Sequence, residues 1–336
     1  MGEADAVAGR RGGGSLRVLV VGAGAIGGYF GGRLLEAGRN VTFLVRPGRA
    51  ARLARDGLMI RSPRGDVHLP APPRVLAEDL NRPFDLVLLS CKAYDLDGAM
   101  AAFAPAVGSG TAILPLLNGM GHLNRLDARF GPERVLGGEC LISATLDADG
   151  RVVHLNDAHA LLFGERDGAR TARAEAIAAV FAGAGFDSRL SEAILQEMWE
   201  KWVFIAAAAG ITCLMRASVG DVVAAGGADL AAGLLDECAA IAAGCGFAPR
   251  PEFLDRTRRM LTAPGAPLTA SMLRDVEHGA PTEVDQILGD LLRRAGAGVE
   301  GGASASLLRI ALVHVEAYEA RRPRERVAHT GSIGAH

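Results

Sequence analysis

The chain has 336 residues, 49% hydrophobic and 22% charged, and its 36 basic and 38 acidic side chains leave a net charge of −2. That length suits two domains with a sizeable core, and the near-neutral balance gives no field for nucleic acid or an anionic membrane. Five cysteines without CxxC spacing argue against a disulfide framework or a zinc cage, and for a reducing, cytoplasmic compartment.

Eight histidines show no HExxH or paired spacing, so no metal site is read. No apolar stretch of ~18 residues is free of a charge or a strong break, which argues against a membrane span. Of the basic residues 34 are arginines and two are lysines, Lys92 and Lys201. In a chain so biased towards arginine, a surviving lysine is a candidate for a position where arginine fails chemically.

Residues 1–15 are Gly- and Ala-rich and read as a disordered extension. Arg10 and Arg11 precede an apolar run, as in an export signal, but no A-x-A cleavage site follows. Residues 17–21 form a short apolar strand, followed directly by Gly22-Ala23-Gly24-Ala25-Ile26-Gly27, then an amphipathic helix to about Ala37 with Gly38 as its C′ residue. A second strand covers 41–45. This is the context in which GxGxxG binds a dinucleotide: Gly22 turns tightly, Gly24 admits the pyrophosphate, and Gly27 lets helix and strand pack closely. The second strand ends VTFLVRPGR, with Arg46 at the tip and no acid nearby, which points to the 2′-phosphate of NADP rather than to the ribose hydroxyls of NAD.

Segments 57–60 and 66–69 read as a hairpin around SPRG, and 85–91 and 111–117 as buried parallel strands. Lys92 and Asn118 follow those last two strands, at the carboxyl ends where open α/β sheets bind ligands. Segments 135–146 and 151–155 form a second hairpin, and 160–163 a further strand. After about Arg189 the strand signals stop. Ser191 can cap a long apolar helix, and further helices are read at 229–244, 251–261, 282–295 and 304–321, with a flexible tail after Arg321. The expected organisation is therefore an N-terminal extension over 1–15, a Rossmann-type doubly wound α/β domain over 16–189, an all-helical domain over 190–322 and a tail over 323–336. The active site belongs in the cleft between the two domains. Lys201, between Trp199 and Trp202, either snorkels to water or points into that cleft, where an ammonium moved out of water becomes a usable proton donor.

The blocks VLVVGAGAIGGYFGGRL, LVRP, SCKAYD, LLNGMG, EMWEKW and SMLRDVEHGAPTEVD resemble the ketopantoate reductase (2-dehydropantoate 2-reductase) family over about residues 16–321. The resemblance implies a Rossmann domain followed by a helical domain, and NADPH-dependent reduction of ketopantoate to pantoate on the way to pantothenate and coenzyme A. It implies that Gly22 to Gly27 hold the pyrophosphate and Arg46 the 2′-phosphate, and that Lys92 lies on the cofactor side of the cleft. Asn118 falls near nicotinamide and substrate, Lys201 at the proton donor, and Ser271 at a substrate-binding serine. Glu283 falls at a glutamate near the cofactor, and Ser143, more loosely, at a further cofactor contact.

The departures from the pattern concern the substrate. Asparagines that follow the family's lysine at i+4 and i+8 are here Ile205 and Ala209, and a third aligns with Val219. Losing polar anchors removes support for ketopantoate itself while leaving the reductase chemistry in place. The leading expectation is an NADPH-dependent reductase of a 2-oxo acid, with a small-molecule carbonyl partner and an apolar helical domain compatible with a homodimer. The alternatives are a relative acting on a more apolar carbonyl compound, and an NADP-binding sensor without chemistry.

Overall fold

The computed structural model describes residues 16–296 and 306–332, so the expected disorder of 1–15 lies outside the described residues. The N-terminal half alternates strands and helices: β1 (Val18–Val21), α1 (Ala25–Glu36), β2 (Val41–Leu44), α2 (Pro47–Asp56), β3 (Leu58–Arg61), β4 (Val67–Leu69), β5 (Arg74–Val75), β6 (Leu86–Leu89), α3 (Leu96–Phe103), β7 (Ala112–Pro115), α4 (Gly121–Phe130), β8 (Gly137–Leu146), β9 (Val152–Gly164), α5 (Ala172–Phe181) and β10 (Asp187–Leu190). Strands β1, β6 and β7 are buried throughout, as uninterrupted apolar runs in a two-sided parallel sheet must be. They form that sheet in the order β5-β2-β1-β6-β7, every pairing parallel. The expected doubly wound, Rossmann-like architecture is what folds.

A second, mixed sheet runs β10-β9-β3-β4, with β8 antiparallel to β9. It absorbs both expected hairpins, and the separate strand expected at 160–163 is the far end of the 13-residue β9. Helix α1 lies between the two sheets, and its GGYFGG run explains how. A Cβ on Gly31 would fall 2.6 Å from the Phe43 ring of the first sheet, and one on Gly32 would fall 2.6 Å from Ile60 of the second. Only hydrogen fits on both sides of this helix, while Tyr29, Phe30 and Leu34 fill the core around it.

From α6 onwards the chain is helical: α6 (Ile194–Met215), α7 (Val219–Ala224), α8 (Ala228–Gly244), α9 (Pro251–Leu261), α10 (Ser271–Glu277), a π-helical turn (Asp285–Gly289), α11 (Asp290–Arg294) and α12 (Leu307–Ser332). Helix α6 is long and apolar enough to cross a membrane, but 72% of its most apolar window is buried in this fold, as expected of a core helix surrounded by others.

Three local expectations need correction. Ser191 is not the N-cap of α6; the helix starts at Ile194, and the Ser191 hydroxyl accepts from the Ala193 N–H, making a turn before the cap. The helix expected over 282–295 opens with the wider π-helical turn, where the Ile287 carbonyl accepts from the Trp202 indole at 2.9 Å. Helix α12 passes Pro323 and continues to Ser332 rather than ending near Arg321. Backbone hydrogen bonds propagate it beyond the point where its apolar stripe fades.

Candidate active site

At the end of β1, Gly22 adopts φ +92°, a conformation that strains any L side chain. A Cβ on Gly24 would meet nothing within 4 Å, so the backbone there is open to a ligand. One on Gly27 would fall 2.2 Å from both the Gly22 carbonyl and Ser90 Oγ. The first turn of α1 carries no acidic residue and no side-chain cap, which leaves its N–H groups and positive dipole end for an anion. Ala23 is buried, and its carbonyl accepts from Arg49 Nε at 2.9 Å, while Ala25 and Ile26 are half-buried. These are the features a dinucleotide pyrophosphate requires.

Arg46 projects from the tip of β2 with its side chain 76% exposed, and ion-pairs with Asp95 at 2.7 Å. The strand end itself carries no acid, as its sequence shows, but the fold brings one to Arg46. Asp95 arrives from the turn after β6, 49 residues along the chain, which local sequence could not reveal.

At the carboxyl end of β6, Lys92 pairs with Glu283 at 3.2 Å and with Asp275 at 3.4 Å. Glu283 is buried, and its other oxygen accepts from the Ala93 N–H at 2.9 Å. Burial pulls the Lys92 ammonium down, but Glu283 and Asp275 outweigh it and hold the group above the ordinary lysine range. The Asp275 carboxyl is raised by burial, with Lys92 opposing. Ser271 is exposed at the start of α10, one turn from Asp275. Beyond β7, Asn118 is half-buried, and its carbonyl accepts from Gln286 Nε2 at 3.0 Å.

Lys201 lies on the face of α6 that meets β8. A Cβ on Gly137 would touch Ile194 and Met198 of that face. Lys201 and Ile205 continue it by helical spacing, while Glu139 and Leu141 continue the facing strand by period two. Lys201 acts electrostatically on Glu139, on the buried Cys140 and on His122 of α4, and makes no hydrogen bond or ion pair among the described residues. Burial first, then Lys201 and Arg294, push the His122 imidazole down to about 3, so it stays neutral. Burial pushes the Glu139 carboxyl up to about 7, with Lys201 opposing.

Glu139, Asp275, Gln286 and Asp95 are side chains that sequence reasoning missed. Glu139 left one signal, a single acid inside the otherwise apolar run VLGGECLI. The three positions without the family's asparagines separate in space. Ala209 and Val219 are 2% and 1% exposed in the core, whereas Ile205 is half-buried. Only Ile205 shares the accessible face of Lys201. Ser143 stands at the irregularity in β8, its N–H donating to Asn156 Oδ1. Among the described residues no cluster of His, Cys, Asp or Glu could hold a metal. Cys91, beside Lys92, is half-buried, and burial pushes its thiol up to about 12, so it is not an activated thiol.

Residues 18–168 match the family described as ketopantoate reductase PanE/ApbA, and residues 193–314 match its C-terminal counterpart. The chain belongs to the ketopantoate reductase family. It is 36% identical over 308 residues to the uncharacterized oxidoreductase YkpB of Bacillus subtilis (strain 168), covering 91% of this chain and 100% of that one. The crystal structure of 2-dehydropantoate 2-reductase from Geobacter metallireducens GS-15 superposes with a TM-score of 0.79 at 31% identity, covering 90% of this chain and 99% of that one. D-mandelate dehydrogenase with NADH and anilino(oxo)acetate shares the fold, with a TM-score of 0.80 at 21% identity over 92% of this chain and 100% of that one. Proteins of the ketopantoate reductase family are oxidoreductases that bind a nicotinamide cofactor. In this member the two matched halves meet at the candidate site: Lys92 and Glu139 come from the first, and Glu283, Asp275 and Lys201 from the second.

Proposed function

We propose that this ketopantoate reductase family member is an NADPH-dependent reductase of 2-oxo acids, with Lys201 as proton donor. The observation that carries the reading is an ammonium on a largely buried helix, without an ion pair among the described residues, acting on His122 of α4. Gly22, Gly24, Gly27 and Arg46 would hold the nicotinamide cofactor, which when bound would supply the hydride for ketone reduction. Lys201 hydrogen-bonds the carbonyl oxygen, stabilises the alkoxide charge as it develops and gives it a proton. Asn118 orients the ketone, and Ser271 anchors the far end of the substrate. Glu283 fixes Lys92 on the cofactor side of the cleft. The buried helix and the neutral His122 keep water from the reacting atoms. The test is NADPH oxidation across a panel of 2-oxo acids. Turnover of at least one supports the reading, and tight NADPH binding without turnover of any overturns it.

NADPH rather than NADH is the proposed donor because Arg46 is exposed and its partner Asp95 is itself accessible. An exposed pair of this kind is worth little, so a 2′-phosphate competes for the guanidinium at small cost. Arg46→Ala is expected to weaken NADPH binding roughly tenfold or more, the scale of a charged hydrogen bond, and to leave NADH binding nearly unchanged. Fluorescence titration with both cofactors checks this. Equal losses for the two would place Arg46 outside the 2′-phosphate site.

A second reading changes the substrate and keeps the chemistry. Ile205 stands where the family has asparagine, and Leu141 facing it is 43% exposed, so the pocket wall beside Lys201 is apolar. This favours a 2-oxo acid with a bulkier or more apolar side chain than ketopantoate. Ile205→Asn is expected to shift relative kcat/KM towards ketopantoate by about tenfold. An unchanged ratio would remove Ile205 from the substrate wall. On the same footing we assign the chain to a reducing, cytoplasmic compartment, from its free cysteines, and to a homodimer, from Ile310 and Val313 exposed one turn apart on α12.

A further inference from the structure

An ammonium on an apolar helix needs a counter-charge, since moving it out of water alone is costly. Three acids lie near Lys201, and two of them already pair with arginines. Glu197 pairs with Arg189 at 2.9 Å through one oxygen, while its Oε2 is buried without a hydrogen-bond partner among the described residues. Glu200 accepts from the backbone N–H of Arg250 at 2.9 Å and from its Nε at 2.8 Å. Glu139, on the strand facing α6, is 5% exposed, and its Oε2 is buried with no hydrogen-bond partner among the described residues. From the other elements, His122 on α4 is a buried imidazole, Cys140 is a buried thiol, and Arg294 on α11 bonds Asp290 at 3.2 Å. None of these offers a negative charge to Lys201.

We infer that Glu139 is a positioning residue: its carboxylate, on the strand that faces α6, is the counter-charge that keeps the Lys201 ammonium facing the cleft. The inference rests on Lys201 being the proton donor. It explains an acid at an inward position of a strand, where burial without a partner is otherwise pure cost. It also fits the pairing of the neighbouring acids on α6 with arginines.

Glu139→Gln keeps the shape and removes the charge. The alkaline limb of the kcat/KM profile for ketone reduction, which follows loss of the Lys201 proton, is expected to move down by about one pH unit, with NADPH affinity unchanged. An unmoved limb beside an inactive Lys201→Ala overturns the role of Glu139 alone. An active Lys201→Ala overturns the proton donor, and the role of Glu139 with it.

Should Glu139→Gln fail to fold, Lys201→Met carries the same test. A buried acid raised above its unfolded value costs stability as pH rises between the two values. Without the ammonium that cost grows, so melting temperature should fall more steeply from pH 5 to 8 in Lys201→Met than in the parent. Parallel slopes overturn the pairing.

Discussion

Lys201→Ala is expected to lower kcat for ketone reduction by about 10²- to 10⁴-fold, the usual contribution of a positioned proton donor, with NADPH binding intact. The side chain projects from a helix whose fold depends on Met198, Trp202 and Val203, all buried, so its removal leaves the core unaltered. Lys201→Arg is expected to fall almost as far. A guanidinium matches the charge but does not release its proton near neutrality. Single-turnover oxidation of bound NADPH, free of product release, is the decisive measurement. Near-parental rates in either variant would remove Lys201 from the chemistry.

The second large effect concerns the glycine loop, where two substitutions of one methyl group should part company. Gly27→Ala places a Cβ 2.2 Å from the Gly22 carbonyl and from Ser90 Oγ. Helix α1 must then retreat by about 1 Å or more to restore ordinary contact. Overpacking of this kind costs roughly 1–3 kcal/mol, and the displaced helix N-terminus no longer meets the pyrophosphate. Both melting temperature and cofactor affinity should drop. Gly24→Ala meets no protein atom within 4 Å, so its stability should hold while affinity falls. Calorimetry paired with NADPH titration separates the cases. Equal stability loss in both variants would contradict the geometry.

Much of this fold is legible in local sequence because the signals are local. The apolar runs 17–21, 85–91 and 111–117 fall on β1, β6 and β7, and the glycine fingerprint on the β1–α1 turn. The second sheet was less legible, because its defining pairings, β3 with β9 and β9 with β10, join distant segments. The same limit explains the site. Lys92, Asn118 and Lys201 announce themselves by motif or by rarity, whereas the groups around them come from elsewhere in the chain. Asp95 reaches Arg46, Glu283 reaches Lys92 across 191 residues, and Glu139 faces Lys201. Side-chain periodicity tells which residues face inward, but not which charge waits opposite.

The two tryptophans are the chain's only indoles, and both are buried on α6 on either side of Lys201, their ring centres 4.9 Å apart. Arg294 lies over both rings, and the Trp202 N–H is tied to the Ile287 carbonyl. All indole fluorescence of this protein therefore originates within two residues of one lysine, in a buried setting. Reduced nicotinamide absorbs light in the range where indole emits, so the protein carries a built-in optical gauge. Quenching by energy transfer should register cofactor docking, and any repacking around Lys201 should register as a shift in emission colour.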